Sequence, residues 1–362
     1  MTLATLEPPV VRPRLWTPQR VLFTPAALEE AWGQRIYQRI EALNIPIETL
    51  PANRLTGLRG EDDRATYNLA KRTLAIVNAA PGAFKLQPIP PSADWQFHLA
   101  EGCPAHCQYC YLAGSLTGPP VIRAFANLPA ILDNLGRFET PGKGRNEAAG
   151  TTFEASCYTD PLSLEHLTGS LAETIRYFGT REHGYLRWVS KFDAVEPLLD
   201  LPHNGRTRCR ASVNADPVAR RLEGGVAPVS ARLNALRRLA LPRSEGGGGY
   251  PVGVVVAPIM PIDDWETHYT QLLDDAQQAV GFAPDLTFEL ITHRFTPGSK
   301  DVLLSWYPKT SLDLDESARA AKRNKFGGTK YVYPPDTMKS LRTFFEREIT
   351  LRFPQARILY WT

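Results

Sequence analysis

The sequence predicts an α/β fold: a partial (β/α)6 barrel with a small N-terminal α+β region and a C-terminal β-hairpin plus helix. Three observations carry this. Between residues 95 and 291, six strand-like runs alternate with helical ones, the pattern of a parallel sheet covered by helices. Before residue 95 the elements are short and end in a proline-rich stretch at 80–94. After residue 300 the alternation stops. A curled sheet of this kind is TIM-like and takes its ligands at the carboxyl ends of the strands.

The elements follow in order. Residues 1–19 hold four prolines and read as an irregular leader,. Residues 26–43 have helical periodicity, 45–50 suit a short strand, and 62–77 read as a second helix,. The six barrel strands are 95–100, 151–155, 185–190, 207–214, 252–257 and 285–291. Helices at 127–138, 163–178, 195–199, 231–241 and 265–280 separate them. The four-glycine run at 246–249 is a flexible loop without the strand–helix context that phosphate binding needs,. Residues 324–333 read as a hairpin around Gly327-Gly328, 337–349 as a closing helix and 356–360 as a last strand,. The expected units are residues 1–94, 95–300 and 301–362.

Composition narrows the function. With 43% hydrophobic and 22% charged residues the chain is globular,. A net charge of +3 excludes a globally basic nucleic-acid binder but leaves room for a local basic groove,. The N-terminus lacks a basic start followed by an apolar stretch, and the most apolar run, 252–260, is too short to span a bilayer,. Five cysteines, three of them clustered, fit a reducing compartment rather than a disulfide framework,. The expected location is cytoplasmic, without a membrane partner.

The clustered thiols are Cys103, Cys107 and Cys110, spaced C-x3-C-x2-C after the first barrel strand. Three thiolates on one short loop hold three corners of a cubic iron–sulfur cluster and leave one iron open for a substrate, whereas a closed electron carrier normally has four cysteine ligands. A structural zinc competes, with His106 as fourth ligand, but such sites usually use paired C-x2-C-like spacings. A purely structural trio of buried thiols is the other alternative.

Several islands extend the pattern. They are 102–112 around the cysteines, Phe153-Glu-Ala-Ser-Cys157 with Asp160, and 203–208. Further on come Val255-Val-Ala-Pro-Ile259, 286–291, His293-Arg-Phe-Thr296, 307–310 and Lys330-Tyr-Val-Tyr333. The cysteine motif followed by an aromatic resembles the radical S-adenosylmethionine superfamily. All islands together resemble the spore photoproduct lyase family. The resemblance implies a light-independent DNA repair lyase with a 4Fe-4S cluster and S-adenosyl-L-methionine as cofactors. The open iron would chelate the methionine end of the cofactor. A 5′-deoxyadenosyl radical would take hydrogen from C6 of 5-thyminyl-5,6-dihydrothymine, and the lesion would revert to two thymines. It also implies that Cys157 returns a hydrogen atom to the substrate radical. Tyr109 and Tyr111 would relay the radical back, with stacking or packing as their alternative roles.

Ser156, Thr159, Lys191, Ser212 and Asn214 stand at strand ends on the same rim. Lys191 suits the methionine carboxylate; Ser212 and Asn214 suit ribose or carboxylate oxygens. The family usually has serine where Thr159 stands. Residues 317–335 contain no acid, and aromatics are interleaved among their cations. Lys322, Arg323, Lys325, Phe326, Lys330 and Tyr331 are the expected DNA contacts, where the resemblance places a hairpin that wedges into DNA. Lys325 departs from an arginine of better-known members and lacks the planar fork of that side chain. A flipped lesion would enter the barrel mouth. The expected partners are UV-damaged DNA and a flavodoxin- or ferredoxin-type electron donor, and the expected state is a monomer. Two rivals stay open: a radical enzyme of the same family on another nucleic-acid or small substrate, and a nucleic-acid-binding module with a structural cluster.

Overall fold

A computed structural model describes residues 13, 15–116, 118–142, 144–146, 149–323 and 327–362. The chain enters through β1 (Arg20–Phe23), α1 (Pro25–Glu29) and α2 (Ala31–Ala42). Trp32, Ile36 and Ile40 follow the helical period and make the buried face of α2,. β2 (Ile47–Thr49) lies parallel to β1. α3 (Asp63–Lys71) starts at Asp62, whose carboxylate accepts the Ala65 N–H at 2.6 Å,. The helix expected to run to residue 77 ends at Lys71. Thr73-Leu-Ala-Ile-Val forms β3 (Thr73–Val77), parallel to β1 and buried along nearly all its length. A strand buried on both faces shows no alternation, so periodicity does not separate it from a helix.

The proline-rich stretch holds β4 (Gln87–Ile89), antiparallel to β5 (Ala93–Phe97). There follow β6 (Ala100–Glu101), β7 (His106–Cys107), β8 (Ile122–Phe125) and α4 (Leu128–Leu135). β8 pairs in parallel with β3, and β6 antiparallel with β8. The first sheet therefore runs β2-β1-β3-β8-β6. It draws strands from both sides of residue 94, so the expected boundary there is crossed by backbone pairing. The strand expected over 95–100 is divided in consequence: β5 serves the barrel and β6 the first sheet.

The barrel continues with β9 (Thr151–Ala155), α5 (Glu165–Thr168), α6 (Ser170–Gly179), β10 (Gly184–Ser190) and β11 (Thr207–Val213). Then come α7 (Asp216–Leu222), β12 (Glu223–Gly224), α8 (Val229–Ala240), β13 (Val252–Ile259), α9 (Trp265–Val280) and β14 (Thr287–Thr292). β5, β9, β10, β11, β13 and β14 lie side by side, parallel and in chain order. The six expected strands are all present. Gly169, at φ +67°, breaks the helix expected over 163–178 into α5 and α6,.

The last segment contributes α10 (Pro297–Trp306), β15 (Ala320–Arg323), β16 (Thr329–Val332), α11 (Pro335–Arg352) and β17 (Arg357–Trp361). β17 adds in parallel to β14, while β4 closes the other edge. Among the described residues β4 and β17 do not pair, so the barrel is partial. β15 and β16 form the expected hairpin, beginning at residue 320 rather than 324. Among the described residues no helix is long and apolar enough to cross a membrane.

Candidate active site at the cysteine loop

The cysteine loop leaves β6 through Gly102, whose φ of +77° favours glycine,. Two devices then pin it. β7 pairs antiparallel with β12, placing Cys107 opposite Glu223 and His106 opposite Gly224. On the other side the Lys71 ammonium donates to the carbonyls of Cys103 and Ala105. Cys107 is buried, while Cys103 and Cys110 are half-buried. Burial pushes all three thiols up, Cys103 to about 12, and the charges of Cys103 and Cys110 act on Cys107.

His106 is otherwise engaged. Its Nδ1 lies 3.0 Å from the Tyr67 hydroxyl, which also bonds Tyr307. Among the described residues, no three His, Cys, Asp or Glu side chains are arranged to hold a single metal ion. A donor set of three thiols with no histidine suits a cluster better than a zinc ion.

The second barrel strand brings the next group. Ser156 adopts φ +58°, its hydroxyl accepts the Leu99 N–H at 3.0 Å, and its own N–H reaches Phe97 O at 2.7 Å. This left-handed step turns the chain off β9 and sets Cys157 beside it. Cys157 is half-buried; burial and then the Glu154 carboxylate push its thiol well above the ordinary value, against Arg210. The charges of Cys157 and Cys110 both act on the Tyr111 phenol. Tyr111 is 57% exposed, so its ring stands in the open where the cysteine loop ends.

Polar groups converge on the same rim. Asp160 accepts the Ser190 hydroxyl at 2.8 Å and the Lys191 N–H at 2.7 Å. Burial raises its carboxyl to about 6 despite these bonds. Lys191 Nζ then reaches Ser212 Oγ at 2.9 Å, Glu223 Oε1 at 3.1 Å and Ala257 O at 3.3 Å. The Thr159 hydroxyl is buried with no partner among the described residues. That orphaned hydroxyl fits a polar cofactor at this rim, whereas the three Lys191 ammonium protons are already engaged by Ser212, Glu223 and Ala257,. Asn214 differs from expectation: its amide is already used by Pro258 O at 2.7 Å, Ala215 N at 2.9 Å and the Tyr269 hydroxyl at 3.0 Å. Ser156 is likewise committed to the backbone.

Glu223 is the residue that sequence reasoning misses. It pairs with Lys191, with Arg232 at 2.6 Å, and accepts the Tyr109 hydroxyl. Burial pushes its carboxyl up, but Lys191 and Arg232 outweigh this and hold it at about 2. No local motif announces it, because Lys191 and Tyr109 come from distant segments and Arg232 from the following helix. The two tyrosines thus differ: Tyr109 is half-buried, bonded to Glu223 and lying under Lys191, whose Nζ is 5.6 Å from its ring, whereas Tyr111 is open.

A cavity of about 180 Å³ opens on this rim beside α7, lined by Arg221, Met260, Ile262, His293, Arg319 and Tyr333 among others. Arg319 is buried over the Tyr333 ring at 3.9 Å and pairs with Asp313 at 3.1 Å, so it is unavailable as a DNA contact. On the hairpin, Lys322 stands directly across from Lys330. Lys322 and Arg323 are exposed; Lys330 and Tyr331 are half-buried. Desolvation, then Arg294 and Lys322, lowers Lys330. Lys325 and Phe326 lie outside the described residues.

Comparison with known proteins follows the same lines. The family model described as spore photoproduct lyase matches residues 16–362. The chain is 40% identical to spore photoproduct lyase of a Geobacillus species, covering 96% of this chain and 99% of the relative. It is 38% identical to that of Bacillus subtilis, covering 96% and 99%. Two solved structures match over 96% of this chain and all of theirs, at 37% identity. One is a spore photoproduct lyase mutant with bound AdoMet and dinucleoside spore photoproduct, at TM-score 0.88. The other is a spore photoproduct lyase complexed with dinucleoside spore photoproduct, at TM-score 0.87.

Proposed function

The chain belongs to the spore photoproduct lyase family of the radical S-adenosylmethionine superfamily, and from that premise we propose how its residues divide the work. It is a light-independent DNA repair lyase that reverts 5-thyminyl-5,6-dihydrothymine to two thymines. Cys103, Cys107 and Cys110 hold a 4Fe-4S cluster, and Lys191, Ser212 and Thr159 face S-adenosylmethionine. When bound, these groups supply a 5′-deoxyadenosyl radical; the protein supplies position and exclusion of water.

The observation that carries this reading is the left-handed Ser156, which turns Cys157 off β9 at the rim, together with the exposed Tyr111 ring that follows Cys110 directly in the chain. A hydrogen-atom donor must keep its S–H bond. Burial and the Glu154 charge keep Cys157 in the thiol form, so it can give hydrogen to the thymine allylic radical and become a thiyl. The Tyr111 O–H then restores the thiol and passes the radical towards the cluster loop. Tyr109 continues the relay: its ring gives an electron to the Tyr111 phenoxyl, Glu223 accepts the Tyr109 proton, and the exposed Tyr111 oxygen takes a proton from solvent. Asp160 is a positioning residue, since it fixes the backbone that aims Lys191.

We assign the barrel, with its edge strands β4 and β17, to the chemistry, the β15–β16 hairpin within residues 301–362 to DNA, and α3 within residues 1–94 to bracing the cysteine loop. Lys322, Arg323, Lys325, Phe326, Lys330 and Tyr331 contact the damaged duplex. Lys322 against Lys330 supports this, because like charges directly opposite destabilise a bare hairpin and suit one that meets phosphates,. A flavodoxin- or ferredoxin-type protein supplies the electron, and the working unit is a monomer in the cytoplasm.

The test is anaerobic reconstitution followed by assay on a lesion-containing dinucleotide. The wild-type protein should yield thymines and 5′-deoxyadenosine. Cys157→Ala should still consume the lesion but give adducts in place of clean thymines. Unchanged product purity removes Cys157 from the mechanism, and cofactor cleavage without lesion repair points to another substrate.

A further inference from the structure

Lys71 ends α3 with only 6% of its surface exposed. Its ammonium donates to the carbonyls of Cys103 and Ala105 inside the cysteine loop and lies 5.8 Å from the Tyr67 ring centre. Among the described residues it forms no ion pair with a carboxylate. The neighbouring lysine on the same site, Lys191, is paired with Glu223 at 3.1 Å. Lys191, the half-buried one, is therefore compensated, and the buried Lys71 is not. Carbonyl dipoles and a ring face satisfy donors without cancelling a charge. An uncompensated buried cation is costly, and proteins keep such groups where an anion meets them.

We propose that Lys71 is the counter-charge of the iron–sulfur cluster and sets its reduction potential, an inference that rests on Cys103, Cys107 and Cys110 holding that cluster. A cubic cluster bound by three thiolates is anionic, and reduction adds a further negative charge. A fixed cation beside the Cys103 backbone stabilises the reduced state more than the oxidised one, so it raises the potential. Net charge and burial are the recognised controls of such potentials. Lys71 thus eases electron entry from the donor, and it acts through the loop without touching substrate.

The experiment is a redox titration followed by electron paramagnetic resonance on the reconstituted full chain. Wild type, Lys71→Met, Lys71→Gln and Lys71→Arg are compared at matched iron content. The neutral variants should lose about tenfold in the equilibrium constant for reduction, ~59 mV for a one-electron couple, while the arginine variant stays near wild type. Neutral variants that titrate with wild type overturn the proposal, as does an arginine variant that shifts as far as methionine. If the neutral variants take up no cluster and the arginine variant does, the counter-charge is supported by assembly itself. If all three lose the cluster, Lys71 is a steric clamp and the proposal fails. A wild type that binds no cluster overturns the site reading and this inference together; cluster-bearing variants with unmoved potentials overturn this inference alone.

Discussion

Gly102 shows how much one residue decides. An added Cβ would lie 2.4 Å from Val121 O, a backbone atom held by its neighbour β8, and φ is +77°. Neither strain has a flexible side chain to absorb it. Gly102→Ala should cost about 1–3 kcal/mol and reduce iron uptake during reconstitution; thermal unfolding and iron content measure the two effects, and an unaltered pair of values contradicts the proposed role. Tyr111→Phe keeps the ring and removes only the O–H. If Tyr111 relays hydrogen, this variant should still start turnover but consume more S-adenosylmethionine per lesion repaired, read as the ratio of 5′-deoxyadenosine to thymine. A ratio equal to wild type would make Tyr111 a packing residue. At this scale the sequence is uneven. The thiols are legible because their spacing is itself the chemistry. Glu223 is not, because its meaning comes from Lys191, Tyr109 and Arg232, which only the fold assembles.

Among the elements, legibility follows period and punctuation. The barrel strands are bounded by turns and separated by helices long enough to show their face. β3 and β8 are short, apolar and buried, so their pattern fits a helix or a loop equally well. The split of α5 from α6 depends on the left-handed Gly169, and a glycine near the start of a helical pattern does not by itself declare that conformation. The hairpin is legible as an element, and its cross-strand register adds what the sequence lacks. Lys322 faces Lys330, and Arg294 adds its charge to the same patch. Replacing Lys322 and Lys330 by Ala should weaken binding to a lesion-bearing oligonucleotide and flatten its salt dependence. The slope should fall by about 0.7–0.9 for each phosphate that is no longer neutralised. Thermal stability should hold or rise slightly, since a like-charge pair has been removed. Undiminished affinity with an unaltered slope would place DNA elsewhere on the molecule.

The molecule as a whole is organised around a barrel whose interior is ionic rather than purely apolar. Arg210 on β11 pairs with Glu289 on β14 at 2.8 Å and with Glu154 on β9; Arg187 on β10 pairs with Glu289, and the Tyr360 hydroxyl of β17 donates to Glu289. Four barrel strands and the edge strand are thereby locked in one register, directly beneath Cys157, whose thiol responds to Glu154 and Arg210. Such a network is a weak source of stability while complete but expensive to break. Arg210→Met leaves two buried carboxylates with only Arg187 between them and should cost about 3–5 kcal/mol. The pH dependence fixes the cause. Burial already raises Glu154 above its ordinary 4.5, against Arg210 and Arg187. Without Arg210 its folded value rises further. A carboxyl raised in the folded state contributes stability that is fully present below its unfolded value and is lost as pH rises through the folded one. The deficit of Arg210→Met relative to wild type should therefore be smallest near about pH 5 and largest near about pH 8, as measured by denaturant unfolding. Arg210→Met combined with Glu289→Met should lose less than the sum of the single variants, because the partner left uncompensated by either change is removed with it. A deficit independent of pH, with additive losses, would mean that Arg210 acts through packing alone and that the charge beneath Cys157 does not shape the site above it.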